Sequence, residues 1–140
     1  MSVRLPLRRL VVNADDAGID LPRNDGILEA YSSGVLTSAT LLATGPACED
    51  FARRARRAPD PAGRGALGIG VHLNLSECCP PASAQGVPGA FVSKHELWER
   101  AARSAFDPRL VETELAAQLQ RVLDLGLSPT HIDGHNHVHM

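Results

Sequence analysis

The sequence predicts an α/β fold built around a mostly parallel sheet. Short apolar runs alternate along the chain with segments of helical periodicity, which is the pattern of strands joined by helical crossovers. Polar and metal-binding residue types follow three of the predicted strands at their C-terminal ends. In parallel β/α folds the loops at that end converge on one place, so the pattern also predicts a functional site.

The first strand and helix open the chain. The apolar run over residues 10–14 ends at two aspartates and is predicted to be a buried strand. A helical pattern covers residues 22–33, with Asn24 or Asp25 as its N-cap and Gly34 as its stop.

The second unit repeats this order. Residues 35–43 are rich in β-branched side chains and predict a strand, and residues 46–58 predict a helix. A polar loop over residues 59–65 leads to a third strand over residues 67–75. Alternation in that strand places apolar side chains on one face and Gly68, Gly70, His72 and Asn74 on the other.

The remainder of the chain is predicted to be a loop, two helices and a strand. Residues 76–90 form a long loop rich in proline and glycine, a candidate substrate loop. Ser93 begins a helix with a glutamate three residues later, which is a capping-box pattern. Asp107 begins a longer helix that Gly126 ends, and residues 129–133 predict the next strand.

Composition excludes several classes of protein. The 140 residues are enough for one domain with a real core, and a net charge of −2 with 44% hydrophobic residues argues against disorder. Aromatic residues make up 4% and the basic residues form no patch, so nucleic acid is not an expected partner. No run approaches the roughly 20 apolar residues of a membrane span, so no membrane partner is expected.

The cysteines indicate a reducing environment. Cys48, Cys78 and Cys79 are odd in number and two are adjacent, which does not describe a disulfide framework. The apolar run near the N-terminus is also too short for the core of a signal peptide. We therefore expect a cytoplasmic protein, and we interpret the adjacent pair as loop thiols rather than as a zinc site.

The segment over residues 131–140 holds four of the six histidines together with Asp133. In an extended strand the odd positions 131 to 139 would project to one face. Other residue types separate these histidines, so the segment does not have the homopolymeric composition of an expression tag. Because imidazole is the commonest metal-binding side chain, the segment predicts part of a metal site.

Three separate segments are predicted to meet at the C-terminal edge of the sheet: the aspartates at 15 and 16, residues 72–74, and residues 133–135. One carboxylate and two imidazoles suffice for a hydrolytic metal site, and the second aspartate can accept a proton. The alternatives are a turn or helix cap at the aspartates and a core histidine at His72 bonded to Asn74.

Four motifs carry a family resemblance, in the family's order and over nearly the whole chain. With them the chain resembles the YdjC-like family, the chitooligosaccharide deacetylases and their relatives. They are Val12-Asn-Ala-Asp-Asp16, the segment from Gly26 to Ser38, Gly68-Ile-Gly-Val-His-Leu-Asn-Leu75, and the segment from Pro129 to His139.

The resemblance implies a distorted (β/α) barrel of the sugar-deacetylase type. It also implies one divalent metal ion, Mg²⁺ or Zn²⁺, and hydrolysis of the N-acetyl group of a small-molecule amino sugar or chitooligosaccharide. Carried over by position, the implied metal ligands are Asp16, His72 and His135, and Asp15 is the implied general base.

Further residues near these positions are expected to contact the substrate or to hold the ligands in place, namely Asn74, Asp133 and His137. His131, His137 and His139 are expected to stay outside the metal's ligand set, because a hydrolytic metal keeps a position for water.

The chain departs from the family pattern in sequence and in length. Ala17 stands where the family usually has Phe, Gly134 where it has Ser, and Cys78-Cys79-Pro80 where a Gly-Arg-Pro type is common. Family members are about twice as long, as a full barrel of roughly 250 residues requires. Residues 1–140 are therefore expected to be one domain that resembles the N-terminal half, a partial barrel without the later histidine motif thought to supply the general acid.

The sequence leaves two alternatives to a sugar deacetylase open. One is a catalytically inactive remnant that binds only metal or a partner, since an open half-barrel exposes strand edges and apolar faces. The other is a metal hydrolase with a different substrate class on the same barrel. The sequence leaves open whether the chain forms a homo-oligomer.

Overall fold

The computed structural model describes residues 10–59, 63 and 65–137. Four strands in these residues form one sheet in the order β1-β2-β3-β4, and every neighbouring pair is parallel. The predicted α/β fold is confirmed, and each strand lies beside its predecessor, as in a (β/α) barrel. The strands are β1 (Asn13–Ala17), β2 (Ser38–Leu41), β3 (Gly68–Leu73) and β4 (His131–Gly134).

Helices occupy the connections between the strands. One helix follows β1 and one follows β2, whereas two lie between β3 and β4. A short 3-10 turn over His135–His137 follows β4. None of the described helices combines the length and the hydropathy that crossing a membrane requires. The helices are α1 (Leu21–Ser32), α2 (Cys48–Ala55), α3 (Lys94–Ala102) and α4 (Pro108–Asp124).

The N-cap predicted for α1 is wrong. Asp20 is the cap, and its carboxylate accepts a 2.7 Å hydrogen bond from the backbone N–H of Arg23. Pro22 lies in the first helical turn, where a missing N–H is harmless, so the cap must precede it. Asn24 is instead fully buried and accepts a hydrogen bond from the N–H of Gly18.

The predicted N-caps of α3 and α4 and the glycine stop of α4 are confirmed, whereas α2 is shorter than the predicted 46–58. Ser93 caps α3 through the N–H of Glu96, and Asp107 caps α4 through the N–H of Arg109. Gly126 has a φ of +73° just beyond α4, a conformation in which glycine carries no steric cost.

The first strand begins later than predicted. Leu10 and Val11 are largely exposed, and pairing with β2 begins only at Asn13. The strand therefore runs through Asp15 and Asp16 instead of ending before them. The apolar run misled the prediction because its side chains are not buried.

A single hydrophobic core lies between the sheet and the helices. Its largest fully buried apolar side chains are Leu41 of β2, Phe51 of α2, Val71 of β3 and Val122 of α4, and Tyr31 of α1 packs beside them. Packing of this core against the sheet holds β1, β2 and β3 in place. Because the strands are parallel, the polar residues at their C-terminal ends lie close together.

The predicted row of histidines on one face is wrong beyond Gly134. The strand ends there, and the backbone turns because Asn136 and His137 both have positive φ, 53° and 59°. His139 lies outside the described residues, as do residues 1–9 and, within the predicted loop over 59–65, residues 60–62 and 64.

Candidate metal centre

The paired aspartates lie in an irregularity of β1. Ala14 pairs with Ala39 and Ala17 pairs with Leu41, so β1 uses three residue steps where β2 uses two. The extra residue makes a bulge, and Asp16 adopts a φ of +63° within it. Strict alternation would send adjacent side chains to opposite faces, but the bulge lets both aspartates approach His72.

His72 is the buried member of the site. It is 4% exposed and lies on β3 opposite Asp133 of β4. Its Nδ1 is 2.6 Å from Asp133 Oδ1, and its Nε2 is 3.2 Å from Asp16 Oδ1. Because an ionised carboxylate can only accept, the contact with Asp133 favours a proton on Nδ1 and leaves Nε2, which faces Asp16, as the nitrogen of the ring that can bind a metal ion.

His135 approaches the same carboxylate from the other side. Its Nδ1 is 2.7 Å from Asp16 Oδ1, and its ring meets the His72 ring edge to face at 5.4 Å between centroids. The 3-10 turn that carries it is held by Asn136, whose Nδ2 donates a 3.0 Å hydrogen bond to Ser76 Oγ. The loop after β3 thereby fixes the turn after β4.

Asp16, His72 and His135 therefore form a cluster from three strand ends, with potential ligand atoms all within 4.8 Å of one another. Ligands of a tetrahedral zinc ion are about 3.3 Å apart, which matches the 3.2 Å between Asp16 Oδ1 and His72 Nε2, whereas Asp16 Oδ1 and His135 Nδ1 lie at a hydrogen-bond distance of 2.7 Å. Two imidazoles and a carboxylate are a suitable ligand set for a divalent ion. One of the imidazoles, that of His72, is also held by a hydrogen bond to a second carboxylate, that of Asp133. The predicted ligands thus lie together.

A second cluster shares His72. It consists of Asp15, His72 and Asp133, again with ligand atoms within 4.8 Å. Asp15 is exposed and accepts a 2.8 Å hydrogen bond from Asn13 Nδ2. Since His72 Nδ1 is already bonded to Asp133, the other ring nitrogen, Nε2, is the one available to a metal ion, and it faces Asp16 of the first cluster.

Hydrogen bonds from Thr40 and Asn13 hold the carboxylates of Asp133 and Asp15 in place. Thr40 Oγ1 donates to Asp133 Oδ2 at 3.0 Å and accepts from Asn13 Nδ2 at 3.3 Å. His131 lies 3.2 Å from Asn13 Oδ1 through its Nε2, so it joins this network and is not a member of either cluster.

Gly70 makes room for this network on β3. A Cβ at Gly70 would lie 2.6 Å from the ring of His131 and 2.6 Å from Thr40 Cγ2. The predicted polar face of β3 is confirmed for Gly70 and His72, since a side chain at residue 70 would collide with two members of the network, but β3 ends at Leu73 and Asn74 lies beyond it.

None of the hydrogen bonds that Asn74 makes to described residues goes to His72, so these bonds do not support a role in orienting the ring, and a contact with substrate stays a prediction. It is 1% exposed, and its Oδ1 accepts from the N–H and the hydroxyl of Ser76. Its backbone N–H donates to Gln118 Oε1 of α4 at 2.9 Å. Asn74 therefore holds the loop after β3, and the alternative of a core histidine bonded to Asn74 is excluded.

The loop after β3 is also held by a buried carboxylate that the sequence did not single out. Glu114 of α4 is fully buried and accepts hydrogen bonds from the N–H groups of Ala82 and Ser83 and from Gln118 Nε2. Burial raises the pKa of Glu114, but these hydrogen bonds outweigh burial and leave the pKa below its usual value.

The adjacent thiols lie in the same loop. Cys78 and Cys79 are free, with their Sγ atoms 3.0 Å apart. The contact between them, together with burial, raises the pKa of Cys78, and the same contact lowers the pKa of Cys79. They are not part of either metal-binding cluster.

A cavity of about 210 Å³ opens above the clustered ligands. His137 is exposed and lines this cavity, and its contact with substrate stays a prediction. Lys94 and Trp98 of α3 also line the cavity, and the sequence analysis missed them. The available signal was their spacing of four residues, which puts both on one face of the capped helix. The full lining is Asp15, Asp16, His72, Lys94, Trp98 and residues 134–137.

Comparison with known proteins gives consistent matches. The profile described as YdjC-like protein matches residues 9–140. A carbohydrate deacetylase from Geobacillus stearothermophilus is 43% identical over 135 residues, covering 94% of this chain and 51% of the relative. A chitooligosaccharide deacetylase from Salmonella paratyphi B is 39% identical over 134 residues, covering 95% of this chain and 51% of the relative.

A solved structure shares the fold. It is the crystal structure of a protein named for cellobiose-phosphate cleavage, from Enterococcus faecalis V583. Its TM-score is 0.76 at 31% identity, and the match covers 92% of this chain and 49% of that one. The chain therefore spans about half the length of the proteins that it matches.

Proposed function

Because the chain belongs to the YdjC-like protein family, we propose that its metal centre serves the hydrolysis of an N-acetyl group from an amino sugar or chitooligosaccharide. The observation that carries the proposal is the convergence of Asp16, His72 and His135 beside a second carboxylate at the floor of a cavity. Relatives named as carbohydrate and chitooligosaccharide deacetylases support the substrate class.

The centre would hold one divalent ion through Asp16, His72 and His135. Two of the three ligands are imidazoles, which Zn²⁺ accepts readily, whereas Mg²⁺ prefers oxygen ligands and retained water. The ion when bound supplies Lewis-acid polarisation of the acetyl carbonyl and lowers the pKa of water. Asp133 holds His72 in the tautomer that leaves Nε2 free for this role.

Asp15 is the general base in this proposal. It is exposed at the cavity and lies next to the ligand Asp16, so it can take a proton from the attacking water. The hydrogen bond from Asn13 fixes the carboxylate without burying it. Water attacks the acetyl carbonyl carbon and gives one proton to Asp15. Asp15 returns this proton to the amine nitrogen as the C–N bond breaks, and acetate and the free amine leave.

Acetate release from diacetylchitobiose tests the reaction. We expect release by the metal-loaded protein, loss of release in Asp15→Asn, and unchanged metal binding in that variant. Asp20→Asn is the matched control, because Asp20 is an exposed helix cap outside the cavity and asparagine caps equally well. Unchanged release in Asp15→Asn would show that Asp15 is not the base.

A second candidate function, binding of metal or a partner without turnover, has one observation in its favour. An apolar cavity of about 710 Å³ lies beside α4, and Ile132 on β4 lines it with 58% of its surface exposed. Zn²⁺ binding with no release from N-acetyl sugars, esters or phosphoesters would favour this function. Release from esters or phosphoesters alone would favour a hydrolase of another class.

A further inference from the structure

The cavity above the metal centre has one wall that belongs to none of the strand ends. Lys94 and Trp98 of α3 form it, facing Asp15, Asp16 and His135. The wall carries a cation and an aromatic ring, whereas the floor carries carboxylates and imidazoles.

Backbone contacts fix this wall in place. The long loop before α3 is closed at its base, since Ser76 bridges Val92 and the N–H of Glu77 donates to Val92 O at 2.9 Å. At the N-terminus of α3, Ser93 caps the helix, and Leu97, only 3% exposed, anchors its inner face. These contacts therefore hold the wall in a fixed position beside the site.

Trp98 is exposed in a way that packing does not explain. It is 46% exposed, and its one aromatic neighbour among the described residues is His95, whose ring is nearly perpendicular to the indole. An amphipathic aromatic ring that borders a polar cavity suits a ligand with one apolar face and polar edges. A pyranose ring has that character, because its axial C–H bonds form an apolar face and its hydroxyls lie around the edge.

We propose that Trp98 and Lys94 form the sugar-binding wall of the site. The indole packs against the apolar face of the sugar ring, so that the N-acetyl group is directed to the cluster of Asp16, His72 and His135. The Lys94 ammonium donates hydrogen bonds to the hydroxyl edge of the same ring. The sugar class of this ligand rests on the proposed function, whereas the wall itself rests on the geometry of α3.

Tryptophan fluorescence tests this directly, because Trp98 is the sole tryptophan in the sequence. The Asp15→Asn variant, which is expected not to turn over because it lacks the base, is loaded with Zn²⁺ and titrated with diacetylchitobiose. We expect a saturable change in emission, and a weaker response to cellobiose, which has the same ring form without N-acetyl groups. No saturable change with either sugar overturns the proposal.

Calorimetry of variants separates stacking from general damage. Trp98→Ala should weaken binding of diacetylchitobiose by about tenfold, and Trp98→Phe should recover most of that loss. Leu123→Ala is the matched control, since Leu123 is similarly exposed on α4 but does not line the cavity. Equal affinity of Trp98→Ala and the unaltered protein also overturns the proposal.

The outcomes distinguish the wall from the reaction. If the emission of Asp15→Asn changes saturably but the unaltered, metal-loaded protein releases no acetate, the sugar-binding wall is supported and the proposed deacetylation is contradicted. Acetate release with an unchanged KM in Trp98→Ala contradicts the wall and leaves the deacetylation intact. A Lys94→Met variant should raise KM without lowering kcat, because Lys94 binds the ring and does not touch the reacting bond.

Discussion

Replacing Asp133 with asparagine removes the charge that holds the His72 ring. The contact removed is the 2.6 Å pair between His72 Nδ1 and Asp133 Oδ1, made by a histidine that is 4% exposed. Loss of such a carboxylate behind a ligating imidazole typically lowers metal affinity 10- to 100-fold. That corresponds to about 1.4–2.8 kcal/mol. Binding is not abolished, because Nε2 remains beside Asp16 and burial still restricts the ring.

Competition for Zn²⁺ against a chromogenic chelator measures this change. Thr40→Val is the comparison variant: it removes the hydroxyl that donates to Asp133 Oδ2 but leaves the Asp133 charge beside His72, so its effect on affinity should be the smaller of the two. Affinity of Asp133→Asn within twofold of the unaltered protein would refute the orienting role. Complete loss, as deep as in His72→Ala, would mean that Asp133 is itself a ligand and that the cluster of Asp15, His72 and Asp133 binds the ion.

Three other predictions concern stability and metal choice. Gly70→Ala should lower the melting temperature by about 5 °C, because the added Cβ meets Thr40 at 2.6 Å, whereas Gly26→Ala on α1, with open space around it, should raise it. Because folding lowers the pKa of Glu114, the unfolded chain takes up a proton at a higher pH than the folded chain does. The free energy of unfolding should therefore fall as pH drops below about 4.5. Glu114→Gln should flatten that acid limb in thermal melts from pH 3 to 5, and an unchanged limb contradicts the assignment. In competition dialysis Zn²⁺ should displace Mg²⁺ from the centre, and preference for Mg²⁺ contradicts the ligand set of Asp16 and two histidines.

The order of elements was predictable because it depends on local signals. Apolar runs, helix caps such as Ser93 and the glycine stop at Gly126 act within a few residues of themselves. The meeting of the three segments that carry Asp16, His72 and His135 followed from one further rule, that parallel strands bring their C-terminal ends to the same edge, whereas the choice of these three as ligands came from the family resemblance.

The bulge at Asp15 and Asp16 could not be predicted in the same way. A bulge is a mismatch between two strands, so it depends on how β1 pairs with β2 and not on either sequence alone. It decides the chemistry, since without it the adjacent carboxylates would point to opposite faces of the sheet.

The sequence-based predictions also failed for contacts between residues that are far apart in the sequence. Asn74 was expected beside His72 because they lie two residues apart, but the loop turns and Gln118 of α4 takes its backbone N–H. Trp98 lines the cavity from a helix whose start is held near the end of β3 by the bridge from Ser76 to Val92. Such placements are set by tertiary packing, which periodicity does not encode.

Metal binding by histidine variants tests the centre most directly. Equilibrium dialysis with Zn²⁺ compares the unaltered chain with His72→Ala, His135→Ala and His95→Ala, the last a histidine that belongs to neither cluster. We expect one ion bound to the unaltered chain and to His95→Ala, and a collapse of binding in the other two variants. Retention of the ion in His72→Ala together with its loss in His139→Ala would mean that the terminal segment binds metal by itself. The three-strand centre would then be wrong.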